Sequence, residues 1–391
     1  MSNKTILGLI LELNPPHNGH RYFIDKAKEL VNPDLTIAII STSFSMRGDI
    51  MVLDKFTKAK IALEMGVDLL LELPFLGSNG SADYFARNSI NILNSFGITD
   101  LVFGAELDDT NKLEKLANII DSSSYNQNIK LFLDQGLSYS TSCNKALALE
   151  INDLDLINNF SLPNNTLGIQ YIRSIKSINP NIKYHTIKRI DNNYFDVTTT
   201  GIISSATSIR ECLKNNNNVD GLVFNGKQKI DFINQDVAYN NLFKILKYNL
   251  LINSISFNLI LGISEGIENR LINIIKESSS YDEFINKVAT KRYPANKIKR
   301  ILLNIILGIQ ENDNLCYNYY RVLAFNINGE KYLNTLPKEI KKSIITSFKN
   351  VNNNIADIEL KVTNLFGLIT NNESLYLNEF NIPIRSEEND S

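Results

Sequence analysis

Cysteine is scarce in this chain, and its scarcity argues against two ways of stabilising a fold. The 391 residues contain three cysteines, Cys143, Cys212 and Cys316, far apart and with no CxxC pair. Such a set is neither a disulfide framework nor a cysteine-based zinc site. We therefore expect reduced, buried thiols, as in cytoplasmic proteins.

An excess of charge of one sign is also lacking. The chain has 40 Lys and Arg residues against 42 Asp and Glu, a net charge of -2. The whole-chain balance therefore lacks the basic signature of a nucleic-acid-binding protein, which leaves only a local basic patch to look for. The apolar run at the N-terminus extends only from Ile6 to Leu11, too short to span a membrane. We predict a cytoplasmic protein without a membrane anchor.

What is present is an alternation of short apolar strands and amphipathic helices in the first hundred residues. The pattern predicts strands at 5–13, 35–41, 68–73 and 100–104, and helices at 19–30, 54–65 and 81–96. Strands that alternate with helices form parallel βαβ units, whose ligands bind at the carboxyl ends of the strands. The fold class predicted is α/β, with an N-terminal doubly wound parallel sheet of the Rossmann type.

The rest of the chain reads as mainly helical. Residues of about 110–180 form a predicted helical insertion, followed by a strand at 183–187 and an N-capped helix from Ser204. The asparagine run at 215–218 marks the predicted boundary. We predict an N-terminal α/β domain at 1–218, with the helical insertion at about 110–180, and a mainly helical region at 219–391.

The most informative motif is Asn14-Pro15-Pro16-His17-Asn18-Gly19-His20, between the first strand and the first helix. The N-terminus of a helix attracts anions, and Gly19 permits a close approach of the backbone. Each imidazole can donate a hydrogen bond to phosphoryl oxygens whose charge grows in a transition state. Surface histidines can share this spacing, but the placement between strand and helix favours a phosphate site. There is no Walker sequence, and no third ligand is placed for zinc.

A second motif is the Ser/Thr-rich run from Ile203 to Arg210, at the start of a predicted helix. Hydroxyl groups such as those of Ser205 and Thr207, with the helix N-terminal amides, can bind phosphates. Arg210 would neutralise charge one turn into the helix. Alone, this run would be an ordinary helix cap with a surface arginine. His17-Asn18-Gly19-His20, an HxGH motif, and this run together resemble the signature motifs of the superfamily of class I aminoacyl-tRNA synthetases and nucleotidyltransferases.

A series of longer blocks resembles one family in that superfamily, the tRNA(Met) cytidine acetate ligases. The blocks follow one another over nearly the whole chain, at 8–20, 47–49, 54–75, 81–106, 162–172, 185–190, 204–210, 290–308 and 320–326. Three places depart from the family pattern, namely Leu13, Pro16 and Thr42-Ser43. They lie at the expected nucleotide pocket.

The resemblance implies that 1–218 is a nucleotidyltransferase-like, ATP-binding catalytic domain and that 219–391 binds tRNA. It also implies a set of site residues. His17 and His20 would be catalytic. The implied ATP site comprises Leu7, Gly8, Leu9, Ile10, Leu11, Glu12, Leu13, Asn14, Pro15, Pro16, His17, Asn18, Gly19, His20, Gly104, Asn165 and Arg189, with Ser205, Thr207 and Arg210 from the second motif.

The resemblance also implies a two-step reaction. Acetate attacks the α-phosphate of ATP to form acetyl-adenylate, and the wobble cytidine of elongator tRNA(Met) then takes the acetyl group, which yields 4-acetylcytidine. Mg²⁺ is expected with ATP, without an assigned protein ligand. The sequence does not indicate an oligomeric state.

A basic cluster in the C-terminal region is the candidate tRNA contact. It consists of Lys291, Arg292, Lys297, Lys299 and Arg300 around Tyr293. Such a cluster can neutralise phosphates, and the tyrosine can stack on a base. By contrast, we expect Lys55, Lys58 and Lys60, on the second helix, to form a solvated face.

The residues by themselves leave other functions open. One is another HxGH enzyme that transfers adenylyl groups, either an acetate ligase acting on a protein thiol or a nucleotide adenylyltransferase. Another is a module that binds ATP or RNA without catalysis. The long C-terminal region with its basic cluster favours a large anionic acceptor over a small one. The presence of His17, His20 and Arg210 favours an enzyme over a binding module.

Overall fold

The structure is a computed structural model that describes residues 4–189, 204–215, 217–224, 230–264, 266–313 and 318–386. Its strands are β1 (Ile6–Leu11), β2 (Leu35–Ser41), β3 (Leu69–Leu73), β4 (Asp100–Ala105), β5 (Lys183–Lys188), β6 (Tyr320–Phe325), β7 (Ile344–Ile345) and β8 (Ile384–Arg385). None of the helices in these ranges is long and apolar enough to cross a membrane.

The helices follow the strands in the alternating order that was predicted for the N-terminal part. They are α1 (Asn18–Val31), α2 (Lys55–Glu64), α3 (Phe75–Ser78), α4 (Ala82–Ser95), α5 (Thr110–Ile120), α6 (Ser123–Asp134), α7 (Tyr139–Glu150), α8 (Leu154–Phe160), α9 (Pro163–Ile178), α10 (Ala206–Lys214), α11 (Gln235–Leu251), α12 (Ile267–Lys276), α13 (Tyr281–Val288), α14 (Ala295–Leu307), α15 (Ile327–Leu333), α16 (Lys338–Ser343) and α17 (Asn354–Ile369). Two 3₁₀ turns lie at Phe257–Leu259 and Glu373–Phe380.

The strand order is β5-β4-β1-β2-β3-β6-β7, with β8 paired to β6. β4 runs parallel to both β1 and β5, whereas β6 runs antiparallel to β3. The sheet is therefore mixed but mostly parallel, which confirms the predicted α/β class. The antiparallel strand β6 was not predicted, because its partner β3 lies far away in the sequence.

Contacts divide the chain into two compact units, neither of which is one continuous stretch. The first draws on Met1–Ile10, Tyr22–Ile37 and Ser81–Ile190, and the second on Leu11–Arg21, Ala38–Gly80 and Asp191–Ser391. The functional boundary at residue 218 stays a prediction.

The first unit is built on the parallel strands β1, β4 and β5. Leu7 of β1 is paired with Asp100 of β4, which in turn is paired with Lys183 of β5. Gly8 is required for close packing, because a Cβ atom there would lie 2.8 Å from the side chain of Ile98. The stretch 110–178 of this unit is helical, from α5 to α9.

The second unit has a large apolar core among its C-terminal helices. Buried residues of α11, α12, α13, α14 and α17 pack together with Phe44, Ile50 and Phe75. The core therefore supports the chain between β2 and α2 and the chain that follows β3.

The second unit also contains a buried group of charges on which α2 depends. The Nζ atom of Lys55 lies 2.6 Å from carboxylate oxygens of both Glu72 and Glu379. Arg321 is buried 3.6 Å from Glu379, and the carboxylate of Glu359 accepts a hydrogen bond from the backbone of Phe75. Burial, together with the carboxylate of Glu72, raises the pKa of Glu359 well above its ordinary value. A protonated Glu359 leaves two carboxylates against two cations.

The prediction that the three lysines of α2 form a solvated face is wrong for two of them. Lys55 and Lys58 are 2 % and 0 % exposed, and only Lys60 lies at the surface. The partners of Lys55 come from β3 and from the C-terminal 3₁₀ turn, so the local charge run could not reveal them.

Candidate active site

The two histidines of the HxGH motif lie side by side, His17 at the end of the loop after β1 and His20 in the first turn of α1. Their ring centroids are 3.9 Å apart. The backbone N–H of His17 donates to Nδ1 of His20 over 3.3 Å. Because Nδ1 of neutral His20 accepts this bond, its proton lies on Nε2. His20 is half-exposed, so Nε2–H can serve as a donor to a phosphoryl oxygen.

The HxGH loop is paired with a segment that the sequence did not assign to the site. Residues 219–224 follow the predicted boundary, and Val223 forms a bridge with His17. The backbone N–H of Asn18 donates to the carbonyl of Leu222 over 3.2 Å, and Phe224 N–H donates to the carbonyl of Pro16 over 3.2 Å. This segment thus fixes the path of the HxGH loop.

The structure brings the second motif to the HxGH loop. Arg210 Nη1 donates to the backbone oxygen of Asn14 over 2.7 Å, and its Nη2 donates to Thr207 Oγ1 over 3.1 Å. Ser205 caps α10, because its hydroxyl accepts from Ser208 N–H over 3.1 Å. Ile203 lies outside the described residues.

Two further hydroxyls of α10 were not singled out from the sequence. The Oγ atoms of Ser204 and Ser208 are buried and have no hydrogen-bond partner within the described ranges. Both can bond to a group that binds at this helix N-terminus. In a serine-rich run such as this one, the sequence does not show which hydroxyl groups find hydrogen-bond partners in the fold and which do not.

Seven of the implied ATP residues lie in the first unit. Gly104 lies beside Arg189, since a Cβ atom at Gly104 would lie 3.4 Å from Arg189 Cγ. Arg189 Nη1 donates to Asn164 Oδ1 over 3.0 Å. Leu7, Gly8, Leu9 and Ile10 lie in β1 of the same unit. The implied contact of all these residues with ATP stays a prediction.

Asn165 is fully buried and holds the turn that follows β4. Its Oδ1 accepts from the backbone N–H groups of Glu106 and Leu107 over 3.0 and 2.9 Å. Its Nδ2 donates to the carbonyl of Asn159 over 2.9 Å. The amide therefore shapes the end of β4, where Gly104 lies.

Lys58 is a buried cation at the carboxyl ends of β1 and β2. Its Nζ donates to the carbonyls of Ser41 and Thr42 over 2.8 and 2.7 Å, and to that of Glu12 over 3.4 Å. The three protons of an ammonium group match these three acceptors. Burial lowers the pKa of Lys58 to about 7, against the opposing effect of the carboxylates of Glu12 and Asp54.

The HxGH loop has two more fixed points. Asn14 Oδ1 accepts from Val52 N–H over 2.9 Å. Glu12 Oε1 accepts from Met46 N–H over 3.1 Å. Leu13, one of the departures from the family pattern, is buried between them with φ of 52°. The side chains of Glu12 and Asn14 thus tie the chain before His17 to the backbone of residues 46–52.

The basic cluster of the C-terminal region is divided by the structure. Lys291 and Arg292 are exposed. Lys297 lies over the ring of Tyr293, with Nζ 4.2 Å from its centroid. Lys299 is paired with Asp49 over 2.6 Å, and Arg300 donates to the carbonyl of Met46 over 3.4 Å.

Base stacking by Tyr293 is contradicted. The side chain is 6 % exposed and belongs to the apolar core, and its hydroxyl donates to the carbonyl of Ser264 over 2.6 Å. The sequence showed an aromatic residue among cations but not the helix packing that covers it.

Metal ligands and thiols add little to the site. In the described ranges, no group of three or more His, Cys, Asp or Glu side chains is arranged to hold a metal ion. Cys143 is buried and Cys212 half-buried, both reduced. Cys316 lies outside the described residues.

Comparison with known proteins extends the resemblance to the whole chain. The family model described as HIGH Nucleotidyl Transferase matches residues 4–379. A protein of Clostridium kluyveri named tRNA(Met) cytidine acetate ligase is 35 % identical, over 94 % of this chain and 95 % of its own. One of Clostridium botulinum, with the same name, is 32 % identical over 97 % and 98 %.

Solved structures agree with the sequence comparison. The apo crystal structure of Thermotoga maritima TmcAL has a TM-score of 0.85 and 28 % identity, covering 98 % of this chain and 100 % of that one. The same protein bound with alpha-thio ATP has a TM-score of 0.81 and 27 % identity, with the same coverage. The present chain therefore belongs to the HIGH nucleotidyl transferase family and, with these relatives, to the tRNA(Met) cytidine acetate ligase family.

Proposed function

We propose that this protein activates acetate with ATP and transfers the acetyl group to the wobble cytidine of elongator tRNA(Met). In the first step an acetate oxygen attacks the α-phosphorus, and the bond to pyrophosphate breaks. In the second, N4 of the cytidine attacks the acetyl carbonyl. AMP leaves with the acetate oxygen, N4 loses one proton, and 4-acetylcytidine is formed.

The contact between the two motifs carries this proposal. Arg210 is bonded to the backbone of Asn14, three residues before His17, so the HxGH loop and the Ser/Thr-rich helix form one site. In-line transfer of an adenylyl group needs positioning and charge neutralisation more than a covalent nucleophile. Imidazole donors, an arginine and a helix N-terminus supply those effects.

Each residue has a defined part in the first step. His17 and His20 donate hydrogen bonds to the oxygens of the α-phosphate as their charge grows. Arg210 neutralises the triphosphate, with the hydroxyls of Ser205 and Thr207 beside it. ATP enters as its Mg²⁺ complex, so the metal comes with the substrate.

The acceptor of the acetyl group in this proposal is a tRNA. The exposed Lys291 and Arg292 are suited to contact tRNA phosphates. The relatives are named for tRNA(Met). A tRNA acceptor also places the reaction in the cytoplasm.

Labelled acetate tests this function. The purified protein is incubated with ATP, Mg²⁺ and labelled acetate, with and without tRNA, and the label is followed into nucleosides after digestion. We expect label in 4-acetylcytidine of elongator tRNA(Met) and none without ATP. Acetyl-adenylate with no label in RNA would refute the tRNA acceptor, and no acetate-dependent product would refute acetate activation.

A further inference from the structure

We propose that Lys299 and Arg300 are positioning residues for the ATP site, because they hold the loop Ser43–Ile50 against Glu12. We call this segment the 43–50 loop. The inference rests on the proposed function and changes the assignment of two residues within it. The sequence grouped both with the tRNA contacts, whereas the structure turns them toward the nucleotide motif.

The 43–50 loop is closed on itself by hydrogen bonds between its two ends. Phe44 forms an antiparallel bridge with Ile50. Ser45 N–H donates to the carbonyl of Asp49 over 2.9 Å, and Gly48 N–H donates to the carbonyl of Ser45 over 2.8 Å. The hydroxyl of Ser45 accepts from the N–H groups of Arg47 and Asp49 over 3.2 and 3.1 Å. These bonds fix the position of Met46 relative to Asp49.

One side of the loop contacts the nucleotide motif. Met46 N–H donates to Glu12 Oε1 over 3.1 Å. Just after the loop, Val52 N–H donates to Asn14 Oδ1 over 2.9 Å. Asn14 in turn offers its backbone oxygen to Arg210. The loop thus helps to fix the chain that leads into His17.

The other side of the loop contacts α14. Asp49 pairs with Lys299 over 2.6 Å, and the carbonyl of Met46 accepts from Arg300 over 3.4 Å. Met46 therefore joins Glu12 to Arg300 through a single peptide segment. Lys299 keeps a side-chain exposure of 22 %, and its ammonium group is engaged by Asp49.

Gly48 shows how closely the loop approaches α14. Its φ is +81°, and a Cβ atom there would lie 2.9 Å from Lys299 Cβ and 3.0 Å from the backbone nitrogen of Arg300. Both the conformation and the space favour glycine. The contact is thus between two backbones as well as between side chains, which suits a fixed support.

The test compares Asp49→Asn, Lys299→Met and the double variant. The Michaelis constant for ATP is measured in acetate-dependent ATP–pyrophosphate exchange without tRNA, and ATP affinity by equilibrium dialysis. Lys276→Met, on the exposed surface of α12, is the matched control. Circular dichroism confirms that each variant is folded. Binding of tRNA is measured over a salt series.

We expect each single variant to weaken ATP binding by about 5-fold, the value of a half-buried ion pair. The Michaelis constant for ATP should rise while kcat stays unchanged. The double variant should bind ATP no more weakly than the single variant with the larger loss of affinity. The salt dependence of tRNA binding should not change. Unchanged ATP affinity, or a lower salt dependence of tRNA binding in Lys299→Met, would overturn the inference.

The dialysis measurement separates this inference from the proposed function. It needs neither acetate nor tRNA. A wild-type protein that binds ATP without acetate-dependent exchange would refute acetate activation alone, and the variants would still decide whether α14 supports the ATP site.

Discussion

His20 owes its donor proton to a backbone contact three residues away. The N–H of His17 occupies Nδ1 of His20, which leaves Nε2–H as the donor. The spacing of two residues between the histidines creates this contact at the first turn of α1. The HxGH pattern thus supplies two imidazoles and also determines which nitrogen of His20 carries the proton.

Replacing His20 tests the part of that donor. His20→Ala should slow acetate-dependent pyrophosphate formation by about 100-fold, since it removes a hydrogen-bond donor to the transition state. A coupled pyrophosphate assay measures the rate. His185→Gln is the control, because His185 pairs with Asp100 in the first unit and is the third histidine of the chain. A near-normal rate in His20→Ala would remove His20 from catalysis.

Lys58 gives the stability of the protein a defined pH dependence. Its pKa falls from 10.5 to about 7 on folding, so between these values the unfolded chain binds more protons. The wild type should therefore gain stability over Lys58→Met as the pH rises through this window. Urea unfolding of both proteins at about pH 6, 7.5 and 9 measures the difference, expected to grow by roughly 1 kcal/mol per pH unit above 7. A constant difference would show that Lys58 keeps its charge throughout.

Among the elements, α2 is the one whose position depends on buried charge. Lys55 on α2 faces Glu72 on β3 and Glu379 of the C-terminal turn. Removal of one partner from a buried pair leaves an uncompensated charge, which costs far more than the pair contributes. The helix that carries Lys58 is thus held by residues from the other end of the chain.

Substitutions in this buried group should differ sharply in cost. Lys55→Met should lower the free energy of unfolding by about 3–5 kcal/mol, because the carboxylates of Glu72 and Glu379 lose their cation. Glu359→Gln should cost less than about 1 kcal/mol, since a protonated Glu359 is already neutral. Urea denaturation measures both, with the exposed Lys60→Met as the control. Equal losses in Lys55→Met and Lys60→Met would contradict the buried ion group.

The elements also show what the sequence can and cannot predict. Strands β1 to β5 and helices α1, α2 and α4 lie close to the predicted ranges, because their apolar periodicity is local. β6 was not predicted, because it lies in a region that reads as mainly helical and is defined by its pairing with the distant strand β3. Lys55, Lys58 and Tyr293 were misjudged for the same reason, as burial depends on partners far along the chain. Both motifs of the proposed site can be recognised in the sequence, because each is a short run of residues with a characteristic chemistry.

At the scale of the whole molecule, a chain of net charge -2 must bind a polyanion through a local patch. Of the basic cluster, Lys291, Arg292 and Lys297 remain once Lys299 and Arg300 are assigned to the 43–50 loop, and Lys291 and Arg292 are the exposed ones. Binding through so few cations should be weak in high salt, because released counterions supply much of the affinity.

The double variant Lys291→Ala/Arg292→Ala tests that patch. Each lost phosphate contact should reduce the slope of log affinity against log salt by about 0.7–0.9. Filter binding of tRNA over a salt series measures the slope. The exposed pair Lys341 and Lys342 on α16, changed to alanine together, is the control. An unaltered slope in the first variant would place the tRNA elsewhere.

The most direct test of the central claim follows the oxygen atoms of acetate. The protein is given ATP, tRNA and acetate labelled with ¹⁸O, and the AMP released is analysed by mass spectrometry. Attack of acetate on the α-phosphorus predicts that AMP carries one acetate oxygen on its phosphate. Unlabelled AMP, or label in orthophosphate or pyrophosphate, would contradict activation through acetyl-adenylate.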